Sequence, residues 1–308
     1  MKGDSSPLFD YPREKGEIEM QPPLLLVIPK GRLQEKITLL LARIGIEYSV
    51  NNRSYRPVCS DPAIKIKLLK PQNIPSLIAL GRHDCGFTGL DWVLEEKLAT
   101  GRELTELLDL GYDKVRIIAA MPEELARSSY KDRQLVIATE YQELAKDYVA
   151  QKKLNAVLIK TYGATEALPP EDADMIIDNT STGSTLQMNR LEIVDELMQS
   201  TTRFVANKES LTDPWKKEKL EQMTLLMKST LLAGQRVLLE MNVSPEHFDT
   251  LVQSLPCMRS PTVSPLYGNT GYAIKVSVPS VEVPKLIPQI IALGATDILE
   301  YRLEKIVP

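Results

Sequence analysis

The sequence predicts an α/β protein on a largely parallel sheet, followed by a smaller C-terminal unit of order β-α-β-β-α-β. Three observations lead there. Short apolar runs alternate with segments whose apolar residues recur at helical spacing. A strongly marked helix begins after Asp213 and stops at Gly234. Beyond Gly234 the alternation changes to strand, helix, two strands, helix, strand over about 75 residues, the ferredoxin-like pattern.

Each element follows from local chemistry. Residues 24–28 (Leu-Leu-Leu-Val-Ile) read as a buried strand stopped by Pro29, with Lys30, Gly31 and Arg32 in the loop behind it. The next helix carries Ile37, Leu40, Leu41 and Ile44 on one face and ends at Gly45. Residues 64–69 alternate Ile and Lys, a strand with one wet face. Residues 74–80 form a short helix, and a turn leads into strand-like Gly86, Phe87 and Thr88. Asp91 is expected to cap a helix that starts at Trp92. Strands follow at 115–120, 134–138, 155–160 and 174–177, with a helix over 141–152. Residues 191–198 (Leu-Glu-Ile-Val-Asp-Glu-Leu-Met) read as a helix and 203–207 as a strand. Asp213 caps the marked helix, Pro214 is its first residue, and Leu220, Met223 and Met227 share a face. Its length suits a connector between domains. In the last unit, strands are expected at 236–243, 259–266, 272–278 and 296–303, and helices at 244–255 and 280–293.

The chain has 308 residues, a length that fits about two domains. With 43% hydrophobic and 25% charged residues it can bury a core, which excludes global disorder. Thirty-seven Lys and Arg against 41 Asp and Glu leave a net charge of -4, which argues against a nucleic-acid binder. Aromatics are 6%, too few for a base-stacking surface. Cys59, Cys85 and Cys257 are odd in number and form no CxxC pair, so neither a disulfide framework nor a zinc site is expected. No apolar run reaches the ~18 residues of a membrane helix. Residues 1–21 are charged and contain Gly and Pro, unlike a signal peptide. They are expected to be a flexible leader, on a protein that is cytoplasmic and binds no membrane.

The stretch that carries chemistry is 174–186, Asp-Met-Ile-Ile-Asp-Asn-Thr-Ser-Thr-Gly-Ser-Thr-Leu. A buried strand ends at the Asp178 carboxylate, and a hydroxyl-rich loop around one glycine leads into a helix. Backbone N–H groups at a helix start hold a phosphate. Gly183 allows close approach, and Thr182, Ser184 and Thr185 add hydroxyls. Asp178 is placed to hold sugar hydroxyls. The loop lacks the GxxxxGK pattern of a Walker motif, so on pattern alone a helix-capping turn stands beside the phosphate site as an alternative. His83 and His247 are expected to be surface or structural residues.

This segment resembles the Ser-Thr-Gly-x-Thr-Leu signature of the ATP phosphoribosyltransferase family, long form. Further motifs are similar in order. They are Pro29-Lys30-Gly31-Arg32-Leu33, Asp84-Cys85-Gly86-Phe87-Thr88-Gly89-Leu90-Asp91, Gly163-Ala164-Thr165-Glu166, the run 255–266, and Leu293-Gly294-Ala295. The likeness spans about residues 22 to 308. Two places depart from it: Pro169-Pro170-Glu171-Asp172, and Asn179 where the family prefers an aliphatic residue. They keep a non-catalytic histidine- or nucleotide-sensing paralogue as the alternative. A two-lobed solute-binding protein is a third reading, opposed by the phosphate loop and the absence of a signal-peptide pattern.

The resemblance implies a two-lobed, periplasmic-binding-protein-like catalytic part with substrates in the cleft. Lobe I is expected over residues 22–112 plus 193–233, lobe II over 113–192, and a regulatory histidine-binding domain over 234–308. It implies transfer of phosphoribosyl from phosphoribosyl pyrophosphate (PRPP) to N1 of ATP, the first step of histidine biosynthesis, with Mg²⁺ and with feedback inhibition by histidine. Catalytic roles fall on Lys30, Arg32 and Asp178, and PRPP binding on Asp178, Ser181, Thr182, Gly183, Ser184 and Thr185. ATP binding falls on Arg32, Gly86, Gly89, Asp91 and Glu166, and the histidine effector on Met258, Ser260, Thr262 and Ala295. Arg53 and Arg56 are candidates for extra positive charge. The metal ligands stay unassigned. A homohexamer is expected, with a dimer as the smaller assembly.

Overall fold

The computed structural model describes residues 22–49, 55–127, 130, 132–256 and 260–307. The expected leader over 1–21, Arg53, Cys257 and Met258 lie outside the described residues. The chain runs through β1 (Leu24–Pro29), α1 (Arg32–Arg43), β2 (Ile64–Leu69), α2 (Ile74–Ala79), β3 (Cys85–Gly89), α3 (Leu90–Thr100) and β4 (Thr105–Asp109). It then crosses to β5 (Val115–Pro122), α4 (Glu123–Ala126), β6 (Leu135–Thr139), α5 (Gln142–Lys152), β7 (Ala156–Lys160), β8 (Met175–Thr180), α6 (Ser184–Met188) and β9 (Leu191–Ser200). It returns in β10 (Thr202–Ala206) and α7 (Pro214–Ala233). The last unit is β11 (Arg236–Val243), α8 (Phe248–Ser254), β12 (Thr262–Pro265), β13 (Tyr272–Pro279), α9 (Val283–Ala292) and β14 (Ala295–Arg302).

Among the described residues these strands form three sheets. The first has order β2-β1-β3-β10-β4 and the second β7-β6-β8-β5-β9. In each, four of the five strands run the same way, and one, β10 or β5, runs antiparallel to both of its neighbours. The lobes are joined where β4 leads to β5 and where β9 leads to β10, and these two crossovers lie side by side. This is the two-lobed periplasmic-binding-protein-like arrangement. The third sheet, β12-β13-β11-β14, is wholly antiparallel, as a ferredoxin-like unit requires.

Packing explains the elements. In α1, Ile37, Leu40 and Leu41 lie one turn apart and bury against Leu26, Ile28 and Phe204. Phe87 of β3 stacks on Phe204 of β10 with centroids 4.9 Å apart, which clamps the antiparallel strand into the sheet. The Asp213 carboxylate accepts hydrogen bonds from the amides of Trp215 and Lys216, so the expected cap forms. Leu220, Met223 and Met227 of α7 join the lobe I core, so this helix is built into that lobe before it delivers the chain to β11.

Local expectations fail in three places. Residues 191–198 are not a helix: they lie in β9, which pairs with β5 along its length. The register slips between Ile117 and Ile118 and between Ala119 and Ala120, so Leu197 and Val194 are extra residues on the bulged strand. Each bulge shifts the period-two alternation by one, and two shifts leave apolar residues at spacings that imitate a helix. The return to lobe I therefore falls at Ser200–Thr202 rather than at residue 193. Strand β4 was not expected; it is a short edge strand with no fully buried residue. Asp91 does not cap α3, because Gly89 holds that position and the Asp91 side chain turns inward.

One buried carboxylate ties the ends of lobe I together. Asp84 accepts hydrogen bonds from the Leu25 amide at 2.8 Å, the Ser210 hydroxyl at 2.7 Å and the Lys216 ammonium at 2.8 Å. Asp84→Ala leaves a largely buried ammonium and an amide without their acceptor, so it is expected to cost about 3 kcal/mol. Urea unfolding checks this: the midpoint should drop with an unchanged slope.

Candidate active site

In both lobes the parallel strands end on the cleft side, where α/β sheets place their ligands. The buried run Met175–Ile177 of β8 fixes the level at which Asp178 emerges. Behind it, Gly183 takes φ +80° and is the residue from which α6 starts. Its amide donates to the Thr180 hydroxyl at 3.1 Å, which closes the loop upon itself. The Thr182 and Ser184 hydroxyls are 3.0 Å apart on the exposed side. The first amides of a helix have no acceptor within it; here the Ser184 amide reaches the Thr182 hydroxyl at 3.5 Å, on the same exposed side.

A cleft of about 280 Å³ is lined by this loop from Thr180 to Leu186, by Asp178 and Glu166 of lobe II, and by Arg32 of lobe I. The structure thus brings together Asp178, Ser181, Thr182, Gly183, Ser184, Thr185, Glu166 and Arg32. Arg32 also lies 3.5 Å from Asp113 on the first crossover, so its guanidinium is anchored where the lobes join. Burial raises the Asp178 carboxyl to about 6, with Glu140 and Glu166 pushing the same way against bonds from the Asn179 amide and the Thr165 hydroxyl. Near neutral pH this group is mostly ionised, a negative charge in a cleft that also offers a guanidinium and backbone amides.

Other expected residues are placed differently. Lys30 is absent from the lining of this cleft; its ammonium sits 3.9 Å above the Tyr55 ring. Gly86 is buried in β3, where a Cβ would meet the Val27 carbonyl oxygen at 2.7 Å, so its lack of a side chain serves strand packing. A Cβ on Gly89 would collide with the Asp91 carboxylate. Asp91 itself is 4% exposed and bonded to Ser200 and Tyr141. Gly86 and Asp91 act behind the cleft surface, not on it, because both are sealed by the strands and helices around them.

Of the expected effector residues, Met258 lies outside the described ones, and Thr262 and Ala295 do not come together within one chain. Thr262 is in β12 and Ala295 in β14, the two outer strands of the third sheet. Three strand spacings separate them, about 14 Å. Ser260 lies just before β12 and is exposed.

The sequence reading missed a second groove of about 640 Å³ that adjoins Asp178's side of the cleft through Glu140. Lys70, Gln72, Trp92, Lys160 and Tyr162 line it. The signal was available: Lys70 follows the end of β2 just as Lys30 follows β1, and Glu140 follows β6. Among the described residues no group of three or more His, Cys, Asp or Glu side chains is placed to hold a metal. Asp178 and Glu166 remain the hard oxygen donors that face the cleft at the loop. Also among the described residues, no helix is long and apolar enough to cross a membrane.

The family model described as ATP phosphoribosyltransferase matches residues 70–229, and that described as HisG, C-terminal domain, matches 233–305. An ATP phosphoribosyltransferase of Pelotomaculum thermopropionicum is 38% identical over 291 residues, covering 92% of this chain and 99% of that protein. One from Chlorobaculum parvum is 38% identical over 290 residues, covering 92% and 97%. Among solved structures, the ATP phosphoribosyl transferase (HisG:HisZ) complex from Thermotoga maritima matches with a TM-score of 0.59 and 28% identity, over 67% of this chain and 98% of that one.

Proposed function

Since the chain belongs to the ATP phosphoribosyltransferase family, we propose that the cleft between its two lobes is where the phosphoribosyl group changes hands. The enzyme joins N1 of ATP to C1 of PRPP, releasing pyrophosphate, in the first step of histidine biosynthesis. One observation carries the placement: Asp178, at the end of β8, passes directly into the glycine-centred loop that faces Arg32 across the cleft.

The 5-phosphate of PRPP would rest on the loop from Ser181 to Thr185, held by amides and hydroxyls. Adenine N1 attacks C1 as the bond to pyrophosphate breaks, and positive charge builds on the ribose. The Asp178 carboxylate would face that charge, and no protein nucleophile is needed. Arg32 would meet the pyrophosphate or ATP phosphates through its forked donors. Glu166 would lie at the nucleotide side, and Lys30 would reach polyphosphate by leaving the Tyr55 ring. Mg²⁺ would enter as the complex of the polyphosphate substrates, with Asp178 and Glu166 the side chains near enough to share it; when bound it neutralises leaving-group charge.

The C-terminal unit over 234–308 would bind histidine as a feedback inhibitor. Because Thr262 and Ala295 lie at opposite sheet edges, a pocket that uses both needs two chains edge to edge. That supports a homo-oligomer; the hexamer and a cytoplasmic location follow from the family resemblance alone. Purified protein mixed with ATP, PRPP and Mg²⁺ should build up the absorbance of phosphoribosyl-ATP, and histidine should slow it. No product at high enzyme concentration would overturn the assignment; activity insensitive to histidine would remove the regulatory role alone.

A further inference from the structure

An unbroken file of hydrogen bonds runs from the second crossover to the carboxylate of the proposed ribose site. The Ser200 hydroxyl, at the end of β9, donates to Asp91 Oδ1 at 2.6 Å and accepts the Asp91 amide at 3.1 Å. The Tyr141 hydroxyl donates to Asp91 Oδ2 at 2.8 Å, which joins lobe II to lobe I. Its oxygen in turn accepts Asn179 Nδ2 at 3.1 Å. Asn179 Nδ2 also lies 3.2 Å from Asp178 Oδ1, and the Asn179 backbone amide donates to the same oxygen at 2.7 Å.

Proton counting is consistent along the file. Ser200 and Tyr141 each give one proton to Asp91, and the two amide protons of Asn179 divide between Tyr141 and Asp178. Tyr141 is 1% exposed and stacks on Trp92 of α3 with centroids 4.4 Å apart. The ring is therefore held by both lobes, and its hydroxyl has one orientation that satisfies both partners. Burial and the adjacent Asp91 carboxylate push the Tyr141 phenol well above its usual range, so it stays a donor at any working pH.

We propose that Asn179, Tyr141 and Asp91 are positioning residues: they fix the rotamer of the Asp178 carboxylate and tie it to the pivot between the lobes. An aliphatic side chain at 179 supplies no proton to either oxygen, so the relay depends on this chain's own asparagine. The inference rests on the reading that Asp178 serves the ribose of PRPP.

Asn179 is exposed, so Asn179→Leu should fold, whereas Tyr141→Phe removes one hydroxyl and keeps the stack. Each is expected to lower kcat about tenfold, the effect of one hydrogen bond to a charged group, with KM for ATP changed less than about twofold. The double variant should be about as slow as the slower single one, since both break one file. Unchanged kcat in Asn179→Leu, or losses that multiply in the double variant, would overturn the relay. Asp178→Asn serves as the reference. If it keeps full activity, the ribose reading itself fails; if it is slow while Asn179→Leu is not, only the relay fails.

Discussion

Gly183→Val is expected to lower kcat/KM for PRPP by about 100-fold or more, while the protein stays folded. Nothing lies within 4 Å of a Cβ built on Gly183, so no steric collision is involved. The cost is in the backbone, since φ is +80° and a β-branched residue resists the left-handed region by about 1–3 kcal/mol. The loop escapes that strain by turning its peptide planes. The amides that follow residue 183 are then reoriented, and a phosphate held there would lose donors. Gly183→Ala should show the same defect more weakly, and a thermal scan should show each variant melting within several degrees of the parent. Unchanged PRPP affinity in Gly183→Val would place the phosphate elsewhere.

Asp178→Asn is expected to lower kcat by about 100-fold to 1,000-fold, with a smaller change in KM for ATP. The charge is what matters, because the amide keeps the shape and an acceptor oxygen. The pH profile gives an independent check. With the carboxyl raised to about 6, kcat/KM of the parent should rise as pH passes through that value and the group ionises. That rising limb should vanish in the variant. Stability moves the opposite way. The folded state holds this proton more tightly than the unfolded chain, whose carboxyl sits near the ordinary value of 3.8. Between those two values a rising pH draws the proton off and weakens folding. Asp178→Asn removes this contribution, so its melting temperature should depend less on pH from 4 to 6 than the parent's does.

The sequence was most legible where one local rule decides the outcome. Alternating Ile and Lys in β2, the Asp213–Pro214 start of α7 and the strand-helix order after Gly234 depend on neighbours within a few residues. β9 was misread because two bulges scramble its alternation, and bulges are set by the partner strand. β4 was missed because an edge strand without a fully buried residue has little apolar signal. The loop from Ser181 to Thr185 and Asp178 could be found because they are contiguous. Tyr141 could not: its value comes from Asp91, 50 residues earlier, and from Asn179, 38 residues later. Asp91 looked like a cap because an acidic residue near a helix start usually is one. The fold turned it inward to meet the lobe that starts after it.

Amide hydrogen exchange with and without PRPP and Mg²⁺ reads the location of the phosphoribosyl site without relying on any variant. Slowed exchange over residues 180–186, together with Asn179, is the expected result. Protection confined to residues 70–76 in the larger groove, with 180–186 unchanged, would contradict it.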